Sequence, residues 1–145
     1  MKQQPEEMKA LNFLIGKWST KGTIKAGDTM PETTINGTDS YEWILNGCFI
    51  LHKVDVMMGD ARTEAVEIIG EFDNLGKTYK MRSFDGQGNF TTMEAHLDDN
   101  GALHILGENM RSKLSIADNN NMTAHWERSA DNKNWQPWMD LVFSK

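Results

Sequence analysis

The segment Leu11-Asn12-Phe13-Leu14-Ile15-Gly16-Lys17-Trp18-Ser19-Thr20-Lys21-Gly22 decides the fold. Upstream of it, Pro5 suits a first helical position and Glu6 and Glu7 complement a helix N-terminus, while Met8, Leu11, Leu14 and Ile15 form a helical stripe. These features predict a short helix over residues 5–15, ended by Gly16. From there the period drops to two: Trp18, Thr20, Gly22 and Ile24 alternate with Lys17, Ser19, Lys21, Thr23 and Lys25. A short helix running straight into an alternating strand predicts a cap packed against the start of a β-structure, with Trp18 on the inner face.

Turns rich in Asn, Asp and Gly recur downstream, at Asn46-Gly47, Gly59-Asp60, Asp73–Gly76, Asp85–Gly88, Asp98–Gly101, Asp118–Asn121 and Ala130–Asn134. These residue types tolerate the positive φ of tight hairpins. Between the turns lie runs rich in β-branched and aromatic residues, such as Phe49–Met58, Thr63–Phe72 and Met122–Ser129. Such spacing predicts an antiparallel meander, and closure removes its two edges. Ala102–Ala117 is too long for one strand; a break near Gly107–Met110 gives ten strands, and leaving it whole gives nine. An even count lets the first and last strands meet antiparallel. The chain therefore reads as all-β, a single up-and-down antiparallel barrel of about ten strands over residues 16–145, with the helix at its closed end. Residues 1–145 read as one domain, without repeat or linker.

Alternation assigns faces. His52 shares one with Ile50, Val54, Val56 and Met58; Tyr79 goes with Met81, and Arg128 with Met122, Ala124 and Trp126. In the fourth strand Val66, Ile68 and Phe72 oppose Glu67 and Glu71, which puts the glutamates in solvent. The last strand turns either Met139, Leu141 and Phe143 inward or Trp138, Asp140 and Val142. With ten strands, parity brings Lys145 to the closed end over the Trp18 indole, a cation–π contact worth about 0.5–2 kcal/mol. The opposite rim is built from Gly27–Thr33, Met58–Arg62, Arg82–Gly88, Gly107–Arg111 and Arg128–Trp135. All four arginines, Arg62, Arg82, Arg111 and Arg128, fall within a few residues of it. Guanidinium groups gathered at one opening suggest a carboxylate or phosphate on a ligand. The plainer reading pairs each with a nearby acid such as Asp60, Asp85, Glu108 or Asp131.

The opening Leu-x-x-Leu-x-Gly-x-Trp resembles the calycins: lipocalins, fatty-acid-binding proteins and nitrobindin-like haem barrels. Tyr41–Gly47, Tyr79–Asp85, Trp126–Ser129 and Trp135–Asp140 together resemble a bacterial lipocalin-like family catalogued as domain of unknown function 1579. The resemblance runs from about residue 8 to the end. It implies a calycin-type barrel with a basic residue of the last strand on the floor Trp, here Lys145 on Trp18 beside Gly16, and it transfers no active site.

Composition narrows the function further. A net charge of −6 without a basic run argues against nucleic acid. No apolar run approaches the ~20 residues of a helical membrane span. Cys48 is the single cysteine, which suits a reducing compartment, and Met1–Glu7 lacks the apolar stretch of a secretory signal. These features read as a cytoplasmic protein.

Four histidines, His52, His96, His104 and His125, form no metal-binding spacing. His52 alone sits on an apolar face, as a ligand-bonding group, a haem ligand, a general base or a core histidine with satisfied hydrogen bonds. Glu94/His96 and His125/Glu127 are i, i+2 pairs on faces that read as solvent-side. No catalytic residue, cofactor or metal ligand is assigned. The expected function is binding of a small, largely apolar ligand, with an anionic group toward the arginine rim, in a cavity for a ligand of about 300 Å³. Its expected lining is Tyr41, Trp43, His52, Ile68, Tyr79, Met81, Met93, Trp126 and Arg128, with Arg62, Arg82 and Arg111 at the rim. Alternatives are a haem barrel with histidine on the iron, an enzyme using His52 or an inward carboxylate, and a filled barrel serving as an interaction scaffold. A strongly shifted pKa inside a cavity favours the enzyme; every histidine exposed or idle counts against it.

Overall fold

The computed structural model describes residues 3–27 and 31–145. The predicted 5–15 helix is two short pieces: α1 (Glu6–Lys9) and a 3-10 turn at Asn12–Leu14. Leu11, at φ −92° and ψ 7°, interrupts the run. So few residues gain little from helix propagation, and packing sets their path instead. The stripe survives the break, because Met8, Leu11 and Leu14 are all buried.

Among the described residues ten strands follow: β1 (Gly16–Ile24), β2 (Thr33–Ile44), β3 (Phe49–Met58), β4 (Ala61–Asp73), β5 (Thr78–Asp85), β6 (Phe90–Leu97), β7 (Leu103–Gly107), β8 (Met110–Asp118), β9 (Asn121–Arg128) and β10 (Gln136–Ser144). Each pairs antiparallel with the next, and β1 pairs with β10 from Ser19↔Ser144 to Ile24↔Met139, closing the barrel. The Ala102–Ala117 stretch breaks between Gly107 and Met110, with Asn109 at φ +63°. Of the segments assigned to the mouth, part of Gly27–Thr33, residues 28–30, lies outside the described residues.

The closed end is built around Trp18, which is 1% exposed. Its indole Nε1 donates to the Leu14 carbonyl at 2.8 Å, tying the cap to the first strand. The Lys145 ammonium lies 4.6 Å from the indole centroid and donates to the Ile15 carbonyl at 2.9 Å. Gly16 holds φ +136°, and a Cβ there would lie 2.8 Å from Lys145 Cε. Two further bonds fasten the cap: the Tyr79 hydroxyl donates to the Glu7 carbonyl, and Trp43 Nε1 donates to Asn12 Oδ1 at 3.3 Å.

The inward faces of β1, β3, β5, β9 and β10 follow the alternation, with Met139, Leu141 and Phe143 the inward set of β10. The fourth strand corrects it. Glu67 and Ile69 point inward, at 5% and 1% exposed, whereas Val66 is 38% exposed on the outer wall beside Ile68. A register shift between Gly70 and Asp73, with Glu71 at φ +52°, then returns Phe72 to the interior, 4.9 Å from the Tyr79 ring. An inward glutamate is tolerated because partners on neighbouring strands satisfy it.

The closed end yields a test. Gly16→Ala lowers unfolding free energy by about 1–3 kcal/mol, through an unfavourable φ and the clash with Lys145. Lys145→Ala costs about 0.5–1 kcal/mol, and the two losses add to less than their sum, as urea denaturation of the double variant reads.

Candidate functional site

The barrel encloses a cavity of about 210 Å³. Its wall is two-sided. From β6 to β10 it is almost wholly apolar, with Met93, Leu103, Ile105, Leu114, Ala124, Trp126, Met139, Leu141 and Phe143. From β1 to β5 each strand contributes one polar side chain at mid-height: Thr20, Asp39, His52, Glu67 and Ser83.

These five residues form one hydrogen-bonded belt. His52 Nε2 bonds Asp39 Oδ1 at 2.7 Å and His52 Nδ1 bonds Glu67 Oε1 at 3.0 Å. Thr20 Oγ1 donates to Asp39 Oδ2 at 2.5 Å, and Ser83 Oγ to Glu67 Oε2 at 3.1 Å. Cross-strand register explains the line, since His52 stands opposite Glu67 and Glu67 opposite Ser83. Asp39 reaches His52 diagonally, leaving the position opposite His52 to Tyr41, whose ring stacks on the imidazole at 4.0 Å and 10°. Both carboxylates are 5% exposed.

The electrostatics follow from this geometry. Burial alone would lower the His52 pKa, but hydrogen bonds to Asp39 and Glu67, and the charges of both, outweigh it and raise the value to about 9. At neutral pH His52 is therefore an imidazolium with both N–H groups committed to carboxylates. Burial, then the same two charges, push the Tyr41 hydroxyl well above its ordinary range, so it stays a neutral phenol. His52 is neither exposed nor idle, yet it has no free lone pair to accept a proton or bind iron. The other histidines bond or stack outside the cavity: His104 to Asp98 at 2.8 Å, His96 against His104, and His125 to Asp140 at 2.6 Å. The histidines therefore do not fit a haem iron. No group of three or more His, Cys, Asp or Glu among the described residues is arranged to hold a metal ion.

The expected lining residues divide. Tyr41, His52, Met81, Met93 and Trp126 are in the cavity wall. Ile68 is outside it, on the outer wall, because β4 has the opposite parity from that expected. Trp43 and Tyr79 face the interior below the cavity, where both bond the N-terminal cap. Arg128 is exposed at the end of β9, its guanidinium 5.8 Å from the Trp138 ring centroid. The rim arginines are occupied: Arg62 by Asp55 and Glu64, Arg82 by Glu71, and Arg111 by Glu127 and the Trp135 face. Asp55, Glu71 and Glu127 are on neighbouring strands and Glu64 is on the same strand as Arg62, none of them in the turns, because long side chains on an outer wall meet across the ladder and along it. Among the described residues, no lysine or arginine lines the cavity.

Sequence reading missed Thr20, Asp39, Glu67, Ser83 and Ser112 as site residues. Asp39 has the parity of Tyr41, so alternation alone could have placed it inside. Ser112 is 5% exposed in the β8 wall, and its Oγ has no hydrogen-bond partner. A second recess of about 420 Å³ lies where β6 residues 90–93 run past the end of β7, and Met93 lines both spaces.

The belt carries a pH dependence. Because the folded His52 pKa exceeds its ordinary 6.5, its stabilisation is complete below pH 6.5 and is lost as pH rises through about 9. His52→Leu leaves two buried carboxylates unpaired and costs about 3–5 kcal/mol at pH 6.5. Urea denaturation between pH 6 and 10 should show the fall in the parent protein and its absence in the variant.

Comparison with known proteins places the chain in a family and a fold. Its residues 3–145 match the family model described as protein of unknown function (DUF1579). Among solved structures, the crystal structure of Rv2717c from M. tuberculosis superposes with a TM-score of 0.77 at 10% identity, covering 99% of each chain. A de novo designed fluorescence-activating β-barrel matches at 0.53 and 12% identity, covering 94% of this chain and 96% of its own. The structure of EF1p2_mFAP2b bound to DFHBI matches at 0.50 and 10% identity, covering 97% of this chain and 100% of its own. At such identities the likeness is one of fold. No curated protein matches. On the match over residues 3–145, the chain belongs to the DUF1579 family.

Proposed function

We propose that the protein binds a compact, largely apolar small molecule inside the barrel. The cavity of about 210 Å³ carries this reading, with one apolar side and one polar belt. It falls short of the ~300 Å³ expected from the sequence and usual for ligand pockets, which narrows the ligand to one or two rings or a short branched chain. A dry apolar cavity of about 150 Å³ already holds benzene, so the space is adequate for such a molecule. That EF1p2_mFAP2b, a barrel of similar architecture, is bound to DFHBI is consistent with this use. The carboxylate partners of Arg62, Arg82 and Arg111 weaken the case for an anionic group on the ligand, and the committed His52 nitrogens weaken the case for haem.

Toluene is a minimal probe of this reading. At about ten times its Kd it should stabilise the fold by about 1.4 kcal/mol and shift the methyl resonances of Met81, Met93 and Met139. Ala124→Phe fills the apolar side and should abolish both effects. A parent protein with unchanged stability and unshifted methionine methyls in toluene overturns the proposal.

A further inference from the structure

We infer that the ligand of this cavity carries a cationic nitrogen, in the form of a protonated primary or secondary amine, seated on Asp39 and Glu67. The inference rests on the cavity being a ligand site and adds the chemical class of what it takes.

The argument begins with charge. Two carboxylates face one imidazolium, so the belt carries a formal −1 within an apolar interior, with no lysine or arginine among the described residues of the wall. A buried charge left unmatched is costly, and a cation is what removes the cost. The donor count points the same way. Each carboxylate oxygen receives one hydrogen bond, from His52, Thr20 or Ser83. Two carboxylates offer about eight acceptor positions, so they have capacity for further N–H or O–H donors.

An independent observation comes from the facing wall. Ser112 on β8 is 5% exposed, lines the same cavity, and has an Oγ without a partner. An ammonium has up to three donors in a compact head, matching acceptors of the kind that the carboxylates and the Ser112 hydroxyl present to this cavity. The remaining wall is mostly apolar, and Trp126 supplies an aromatic surface that favours a cation beside it. An anionic ligand would meet two carboxylates and no free cation.

Three probes with one skeleton decide the matter: benzylamine, benzyl alcohol and benzoate, titrated into the intact protein at neutral pH. The Trp126 indole resonance reports occupancy of the cavity and separates it from adhesion to the acidic surface. Benzylamine is expected to bind about tenfold or more tightly than benzyl alcohol, as hydrogen bonds to charged groups exceed neutral ones, and benzoate is not expected to bind. Glu67→Gln should bring benzylamine close to the affinity that the same variant shows for the alcohol, and Asp39→Asn serves the same purpose where that variant does not fold. Benzyl alcohol or benzoate binding as tightly as benzylamine overturns the amine and leaves the apolar-ligand reading standing. If none of the probes shifts Trp126, both readings fall.

Discussion

The pairing of β1 with β10 makes everything else in this molecule necessary. Once the first and last strands hydrogen-bond, the sheet has no edges and its inner face looks onto a space closed to water at one end. Inside, the effective dielectric is low, so a polar group must find a protein partner or remain expensive. The belt from Thr20 to Ser83 is the response: five neighbouring strands each hold one polar group at a height where the next can reach it. The floor is held to the same standard, since the Trp18 N–H and the Lys145 ammonium both end on carbonyls of the N-terminal cap.

That constraint explains which parts of the structure the sequence exposes. The Gly16-Lys17-Trp18 signal, the strand count and the position of Lys145 depend on local pattern and parity, and these survive folding unchanged. The helix boundary does not, because Leu11 answers to burial rather than to helical period. Glu67 reads outward for a sound reason, the cost of burying a carboxylate. What cancels the cost is non-local: His52 and Ser83 are 15 and 16 positions away and become neighbours only through strand register. Alternation sees each strand alone, whereas the belt exists only across strands. The apolar half of the cavity is therefore largely legible, and the polar half is not.

The arginines show the same limit from outside. Their nearness to the rim in sequence is real, yet Arg62, Arg82 and Arg111 each meet a carboxylate on the outer wall. These three cations are thus paired on the outer wall, while the cavity wall holds two carboxylates against one imidazolium. The apolar outer residues Val66, Phe84 and Phe90 sit opposite one another on β4, β5 and β6, so that stretch of the outer wall is as apolar as much of the interior.

The Lys145 contact with the Ile15 carbonyl spans 130 positions, whereas every other strand pairing joins sequence neighbours through a hairpin. For an unstructured chain, closing a loop of that length costs about 4 kcal/mol in entropy beyond a constant. The meander lessens that loss, because each hairpin added with the same twist carries the growing end round toward the beginning. Folding is thus divided into many cheap local steps and a single distant one. The ring exists, and the interior becomes a separate compartment, only where the last strand pairs with the first.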